Sequence, residues 1–280
     1  MKKILILSGG GVYGSFEMGI VSRLIKDNKG KWDLITGVSI GSLNACYLST
    51  ITKDNEDKEV ENLKKLWLNI KEIDILTKNY FLNEISLYGN KRFKNFISDL
   101  FKDRSPIRPF IISATSLNTS SSKIFTENDI NENRYTDLIM ASTAIPILLP
   151  PYPFLDDVFV DGGLTSNVVF YEAINYCLKH FPNENIEVDI IVCGSKIKET
   201  KVNPNSLNII TLIEKLIPII KDQVEYGELL KNIKFECDIS ITVYQEKDEL
   251  PISLLDFTKT KELWDNGFTF SNVSTYNIKI

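Results

Sequence analysis

Apolar and polar residues alternate along the chain in a pattern that predicts strands and helices in turn. An apolar run at residues 3–7 is bounded by glycines and has the length of a buried strand. Apolar side chains then recur at a spacing of four over residues 15–27, which predicts a helix. A second strand is expected at 33–38, followed by a helix through about residue 50. This βαβα order is typical of a parallel sheet covered by helices on both faces.

The same reasoning continues through the rest of the chain. Residues 56–102 are expected to be helical and more charged. Further strands are predicted at 109–115, 122–126, 157–160, 187–193 and 235–244, and further helices at 135–144, 168–180, 207–231 and 259–266. The sequence contains no internal repeat, low-complexity tract or linker. We therefore expect one α/β domain over residues 1–280.

Composition and charge narrow the class of protein. Hydrophobic residues make up 43% and charged residues 25%, which excludes a disordered, collagen-like or coiled-coil protein. The net charge of −5, with no basic block, is unfavourable for nucleic-acid binding. The apolar run at residues 4–7 is shorter than the core of a signal peptide, and no stretch approaches the roughly 18 apolar residues of a membrane span. A soluble, cytoplasmic protein is expected, and transient contact with a membrane surface stays open.

The cysteines do not suggest a disulfide framework or a metal site. The chain has four of them, and no two form a CxxC pair: Cys46, Cys177, Cys193 and Cys237. Each stands among apolar residues, which favours buried free thiols in a reducing compartment. No metal and no cofactor is therefore expected from these residues.

A glycine-rich turn, Gly9–Gly14, joins the first predicted strand to the first helix. Glycines permit unusual backbone angles, and N–H groups at a helix start can hold an anion. The spacing also fits the dinucleotide fingerprint GxGxxG, which expects an acid at the end of the second strand. The nearest acid, Asp33, lies at the beginning of that strand instead. A catalytically silent nucleotide-binding module that uses this loop is one alternative.

A second turn has the sequence GxSxG, in which Gly37 and Gly41 flank Ser39. A nucleophile placed between a strand and a helix needs small neighbours, because the turn is sharp. The helix N-terminus favours a developing alkoxide at Ser39. Both turns should emerge at the same edge of a parallel sheet, so the first loop could stabilise an oxyanion at the second. The candidate donors are the backbone N–H groups of Gly9, Gly10, Gly11 and Val12.

Two residues compete for the role of base. The only histidine, His180, ends a predicted helix. The simpler explanation is a surface residue that interacts favourably with the helix dipole. Asp161 follows a predicted strand and precedes Gly162 and Gly163, which allow a sharp turn that brings the carboxylate to the sheet edge. An ordinary Asp-Gly β-turn is the alternative explanation for this motif. Asp161 is the better candidate base for Ser39.

Together these motifs resemble the patatin-like phospholipase family. Its members share a glycine-rich oxyanion loop, a GxSxG motif and a downstream DGG or DGA loop, commonly preceded by ASxAxPxxxPP, which residues 141–151 fit. The resemblance implies a three-layer α/β/α sandwich with a mostly parallel central sheet. It also implies a Ser39–Asp161 dyad without histidine, an oxyanion hole from the glycine loop, and no cofactor. Two positions depart from the family pattern: many members have Arg or Lys in place of Tyr13, and many have proline in place of Val169.

The implied activity is hydrolysis of lipid acyl esters, of the phospholipase A or lysophospholipase type, through an acyl-enzyme. The implied partner is a phospholipid or another acyl lipid. An acyltransferase of related fold is a second alternative, and the head group and oligomeric state stay open. An aromatic and aliphatic cluster within residues 80–88 is a lid, a membrane-facing lip or, more simply, a cap over the core. The apolar helix at 207–231 is expected to serve as core or dimer contact.

Overall fold

The structure is a computed structural model that describes residues 1–79, 85–129, 134–194, 237–246 and 252–278. The strands are β1 (Lys2–Leu7), β2 (Leu34–Val38), β3 (Thr77–Lys78), β4 (Tyr88–Gly89), β5 (Phe110–Ser116), β6 (Ser121–Thr126), β7 (Tyr152–Phe154), β8 (Asp157–Asp161), β9 (Ile186–Val192), β10 (Ile239–Gln245) and β11 (Val273–Ile278). The helices are α1 (Gly14–Lys26), α2 (Ile40–Ser49), α3 (Glu56–Asn69), α4 (Glu72–Ile75), α5 (Lys91–Phe101), α6 (Tyr135–Ser142), α7 (Phe170–His180) and α8 (Thr260–Thr269). The predicted helix at 207–231 lies outside the described residues, as do Tyr80, Phe81 and Leu82 of the predicted cluster.

The main sheet confirms the predicted α/β class. Its strand order is β11-β10-β9-β1-β2-β5-β8-β7, and β6 also pairs with β5. The central strands β10, β9, β1, β2 and β5 run parallel. Antiparallel pairs occur towards both ends, between β10 and β11 and among β5, β6, β8 and β7. The strands β7 and β11 were not predicted from the sequence.

Helices cover both faces of this sheet, as the three-layer expectation requires. Along β1, Leu5 and Leu7 belong to a core that includes side chains of α1 and α2. The alternate residues Ile4 and Ile6 belong to a second core that includes side chains of α7. Successive residues of a strand point to opposite faces of the sheet. Because both faces are covered, all four side chains are fully buried. No helix in the described ranges combines the length and apolarity needed to cross a membrane.

The carboxyl ends of β2 and β8 meet beside β5, and this junction positions the site. Strand β2 runs parallel to β5 and pairs Val38 with Ser113. Strand β8 runs antiparallel to β5 and pairs Asp161 with Ala114, one residue further along. The residue after Val38 is therefore brought opposite Asp161. Because 122 residues separate them in the chain, only the sheet register makes Ser39 and Asp161 neighbours.

Candidate active site

Ser39 occupies the sharp turn between β2 and α2. Its φ of 52° and ψ of −125° place it in the left-handed half of backbone space, which is unfavourable for a residue with a side chain. A Cβ on Gly37 would lie 2.2 Å from the carbonyl oxygen of Gly41, and a Cβ on Gly41 would lie 2.6 Å from that of Leu7. Both flanking glycines are thus required by close backbone approach. This turn has the sharp geometry that the GxSxG motif predicts.

Asp161 lies against the Ser39 hydroxyl. Ser39 Oγ donates a hydrogen bond of 2.5 Å to Asp161 Oδ2. The N–H of Gly163 donates to Asp161 Oδ1 at 2.8 Å, and the N–H of Asp161 donates to the carbonyl of Ala144 at 2.9 Å. Ser39 is 4% exposed and Asp161 is 7% exposed. The carboxylate is therefore held in one orientation, with one oxygen directed at the hydroxyl proton.

The Gly162–Gly163 turn allows the chain to leave β8 close to the neighbouring strand. Both glycines lie in a short 3-10 turn, Gly162–Leu164, with Asp161 as its N-cap. A Cβ on Gly162 would lie 2.3 Å from the carbonyl oxygen of Ser113. Any larger residue would push β8 away from β5. The predicted role of these glycines in bringing the carboxylate to the sheet edge is consistent with this contact.

Some backbone N–H groups of the glycine loop already donate to acceptors within the protein. The N–H of Gly9 donates to Asn167 Oδ1 at 3.0 Å, and the N–H of Val12 donates to the carbonyl of Leu254 at 2.8 Å. No described residue accepts a hydrogen bond from the N–H of Gly10 or Gly11. This differs from the expectation that Gly9 and Val12 would also face an oxyanion, because their protons already have protein acceptors. Gly10 and Gly11 are the candidate donors that the structure leaves.

Asn167 was missed by sequence reasoning, although it joins two of the predicted motifs. It is fully buried and follows the Asp161 turn, and its side-chain oxygen holds the glycine loop through Gly9. A Cβ on Gly9 would lie 2.8 Å from Asn167 Oδ1 and 2.8 Å from Ser39 Cβ. The loop is therefore packed between the amide and the candidate nucleophile. A polar residue directly before the apolar run 168–170 was the available signal.

Ser142 is a second residue whose contact was not predicted. It lies at the end of α6, fully buried, within the segment that carries the family resemblance. Its Oγ accepts the N–H of Ser39 at 2.8 Å and donates to the carbonyl of Ser113 at 2.7 Å. One hydroxyl thus connects the strained Ser39 backbone to β5. This contact explains how the turn holds its left-handed conformation.

An apolar pocket, partly open to solvent, begins at Ser39. Its walls come from the glycine loop, α2, α3, α4, α5, the segment after α6 and the segment before α8. The lining residues are Gly11, Ser39, Ile40, Leu43, Leu66, Trp67, Ile70, Ile75, Leu76, Phe93, Phe96, Thr143, Ile145, Leu149, Leu255 and Phe257. Because these side chains are almost all apolar, the pocket suits an alkyl chain attached to a group that reacts at Ser39.

The remaining candidates do not line this pocket. His180 ends α7, is exposed, and stacks on Tyr176 with a ring-centroid distance of 4.2 Å, as expected for a surface residue. Gly14 begins α1 at the end of the glycine loop. The four cysteines are free and buried, as predicted. Within the described ranges, no group of histidine, cysteine and acidic side chains has the arrangement of a metal site.

A family model for patatin-like phospholipase matches residues 5–174, a span that includes the glycine loop, Ser39 and Asp161. The chain belongs to the patatin-like phospholipase family. The match confirms the resemblance carried by the three motifs. It ends within α7, so the chain beyond residue 174 is not covered by it.

Two viral proteins are similar to this chain over part of its length. The chain is 24% identical over 182 residues to an uncharacterized protein of Acanthamoeba polyphaga mimivirus, a match that covers 59% of each. It is 27% identical over 188 residues to a probable lipid hydrolase of Invertebrate iridescent virus 6, covering 62% of this chain and 64% of that protein. The matches thus span about three fifths of these relatives. The crystal structure of VipD from Legionella pneumophila aligns with a TM-score of 0.42 at 13% identity, over 98% of this chain and 68% of that one.

Proposed function

We propose that this protein hydrolyses acyl esters of lipids, as a phospholipase A or lysophospholipase, with Ser39 as nucleophile and Asp161 as general base. The observation that carries the proposal is the 2.5 Å hydrogen bond from Ser39 Oγ to Asp161 Oδ2 beside an apolar pocket. A serine hydroxyl is a weak nucleophile until an adjacent base takes its proton. The pocket supplies the place for the acyl chain. The iridescent virus relative, a probable lipid hydrolase, adds support from the family.

The reaction follows from these positions. Asp161 accepts the hydroxyl proton while Ser39 Oγ bonds to the ester carbonyl carbon, which forms a tetrahedral intermediate. The N–H groups of Gly10 and Gly11 donate to its oxyanion, and one such donor contributes about 3–4 kcal/mol to the transition state of a serine hydrolase. Collapse of the intermediate breaks the ester bond, and the leaving alcohol takes the proton from Asp161. Asp161 then deprotonates a water molecule whose oxygen attacks the acyl-enzyme carbonyl, and as the ester bond to Ser39 breaks, the proton passes from Asp161 to Ser39 Oγ and the fatty acid is released.

The contacts of the glycine loop weigh against the nucleotide-binding alternative. A dinucleotide pyrophosphate needs several free N–H groups in the loop and open space above it. Here the N–H groups of Gly9 and Val12 donate to protein acceptors, and the carbonyl oxygen of Leu254 would lie 2.3 Å from a Cβ on Gly11. The loop is therefore covered by the protein's own chain. No observation favours acyl transfer to another alcohol over transfer to water.

A lipid panel tests the proposal. The purified protein would be incubated with phospholipids, lysophospholipids and neutral glycerolipids, and released fatty acids would be measured by mass spectrometry. We expect acyl release that disappears in Ser39→Ala and persists in Ser98→Ala, a matched change on the exposed face of α5. Release that persists in Ser39→Ala, or an absence of release from every lipid, would contradict the proposal.

A further inference from the structure

A segment far along the chain from the three motifs contacts the glycine loop directly. Residues 252–257, which we call the strap, lead into the short 3-10 turn before α8. The N–H of Val12 donates to the carbonyl of Leu254 at 2.8 Å. The hydroxyl of Tyr13 donates to the carbonyl of Ile252 at 3.1 Å. Two successive loop residues are therefore hydrogen-bonded to strap backbone about 240 positions later in the chain.

The same strap forms part of the pocket wall. Leu255 and Phe257 line the pocket together with Ser39 and Gly11. Phe257 is buried and Leu255 is partly buried against the main core. The strap thus contacts the candidate oxyanion loop through its backbone and the candidate acyl site through its side chains. The segment lies outside residues 5–174, the span matched by the family model.

The helix that follows the strap, α8, packs on α1, the helix that follows the glycine loop. Ser15 Oγ, in the first turn of α1, donates to the carbonyl of Thr260 at 2.7 Å. A Cβ on Gly267 of α8 would lie 2.1 Å from the carbonyl oxygen of Phe16 in α1, so the two backbones touch. The loop with α1 and the strap with α8 are therefore packed as one unit. Such packing keeps the strap at a fixed distance from Ser39.

Tyr13 contributes a side-chain contact to the strap. It stands at one of the positions where the sequence departs from the family pattern of Arg or Lys, and its hydroxyl supplies a neutral donor to a backbone carbonyl. Tyr13 is 6% exposed, and the hydrogen bond is partly buried.

We propose that the strap determines acyl-chain selectivity, with Leu255 and Phe257 as the specificity-determining side chains, while its backbone carbonyls position the glycine loop. The inference rests on the proposed hydrolase function. A bulkier side chain at Leu255 narrows the pocket, which hinders a long acyl chain more than a short one. A single methylene can change discrimination in a hydrophobic pocket by about tenfold or more, so a large substitution produces a measurable change.

The experiment compares kcat/KM for p-nitrophenyl butyrate and p-nitrophenyl laurate. Leu255→Trp is expected to lower the laurate-to-butyrate ratio of kcat/KM by at least about tenfold. The control, Leu117→Trp, adds the same bulk at an exposed leucine that does not line the pocket and should leave the ratio unchanged. Leu255→Phe tests the same direction with a smaller addition if the tryptophan variant does not fold.

The backbone contact has its own measurement. Tyr13→Phe removes the hydrogen bond to Ile252, so exchange of the amide protons in the glycine loop should accelerate, as followed by hydrogen–deuterium exchange. Unchanged exchange, or a laurate-to-butyrate ratio within about twofold of wild type in both Leu255 variants, would overturn the strap inference. Hydrolysis that persists in Ser39→Ala would instead overturn the proposed function. The two failures are therefore distinguishable.

Discussion

Replacing Asn167 with leucine should slow hydrolysis while the protein still folds. Leucine fills a similar volume but has no acceptor, so the N–H of Gly9 would lose its 3.0 Å hydrogen bond to Asn167 Oδ1. The residues that follow Gly9 are the candidate oxyanion donors Gly10 and Gly11. Any shift of the loop therefore moves both donors relative to Ser39.

The size of the effect follows from the burial of the contact. Asn167 is fully buried, and the loss of one partner in a buried hydrogen bond costs about 1–3 kcal/mol. If this cost falls on the transition state, kcat decreases by about 5- to 150-fold. In the proposed mechanism the acyl chain binds in the apolar pocket and not at this contact, so KM should change by less than about threefold.

Steady-state kinetics with p-nitrophenyl butyrate and a thermal melt of the same samples test this prediction. Asn175→Leu, on the exposed side of α7, makes the same chemical change without touching the loop and should retain wild-type kcat. A cooperatively folded Asn167→Leu variant with wild-type kcat would refute the positioning role of Asn167. An increase in KM alone would also refute it, because the reasoning assigns the loss to the transition state.

Three further predictions concern other parts of the molecule. Ser142→Ala removes the hydroxyl that joins the Ser39 N–H to the Ser113 carbonyl, so it should lower the free energy of unfolding by about 2–4 kcal/mol in denaturant titration and slow the labelling of Ser39 by a fluorophosphonate. Burial raises the pKa of Asp189, whose carboxylate accepts a hydrogen bond from the Trp32 indole N–H, so the contribution of Asp189 to stability should fall as pH rises from about 4 through that raised pKa. The Tm of Asp189→Asn should therefore rise relative to the Tm of wild type over this window, and a constant difference between the two would contradict the reasoning. Excess EDTA should leave lipid hydrolysis unchanged, and a loss that added calcium or zinc restores would contradict this.

Local sequence patterns were sufficient to predict the central strands and both glycine turns. The buried run before Gly9 and the small residues around Ser39 carry their structural requirements within a few neighbouring positions. The unpredicted strand β11 is different, because its residues are largely exposed and lack a clear apolar period. It forms only because β10, nearly thirty residues earlier, offers an antiparallel edge. Edge pairing of this kind depends on the assembled sheet and has weak local signals.

The candidate site shows the same difference between features that have a local sequence signal and contacts that form only in the assembled fold. Ser39 and Asp161 could be proposed from motifs, because strand-to-turn sequences place polar groups at a sheet edge. Their partners could not, because Asn167 and Ser142 act through single tertiary hydrogen bonds. The N–H of Val12 was expected to face an oxyanion, yet it donates to the carbonyl of Leu254. No local sequence pattern indicates that Leu254 approaches the loop. Contacts between distant segments therefore mark the limit of the sequence analysis.

The central claim is that Ser39 is a nucleophile activated by Asp161. The most direct test is the rate of covalent labelling by a fluorophosphonate, followed by intact mass and peptide mapping, on wild type, Asp161→Asn and His180→Ala. We predict one adduct at Ser39 in wild type, labelling slowed by orders of magnitude in folded Asp161→Asn, and an unchanged rate in His180→Ala. An unlabelled Ser39 in the folded wild-type protein, or labelling that depends on His180 and not on Asp161, would contradict the account.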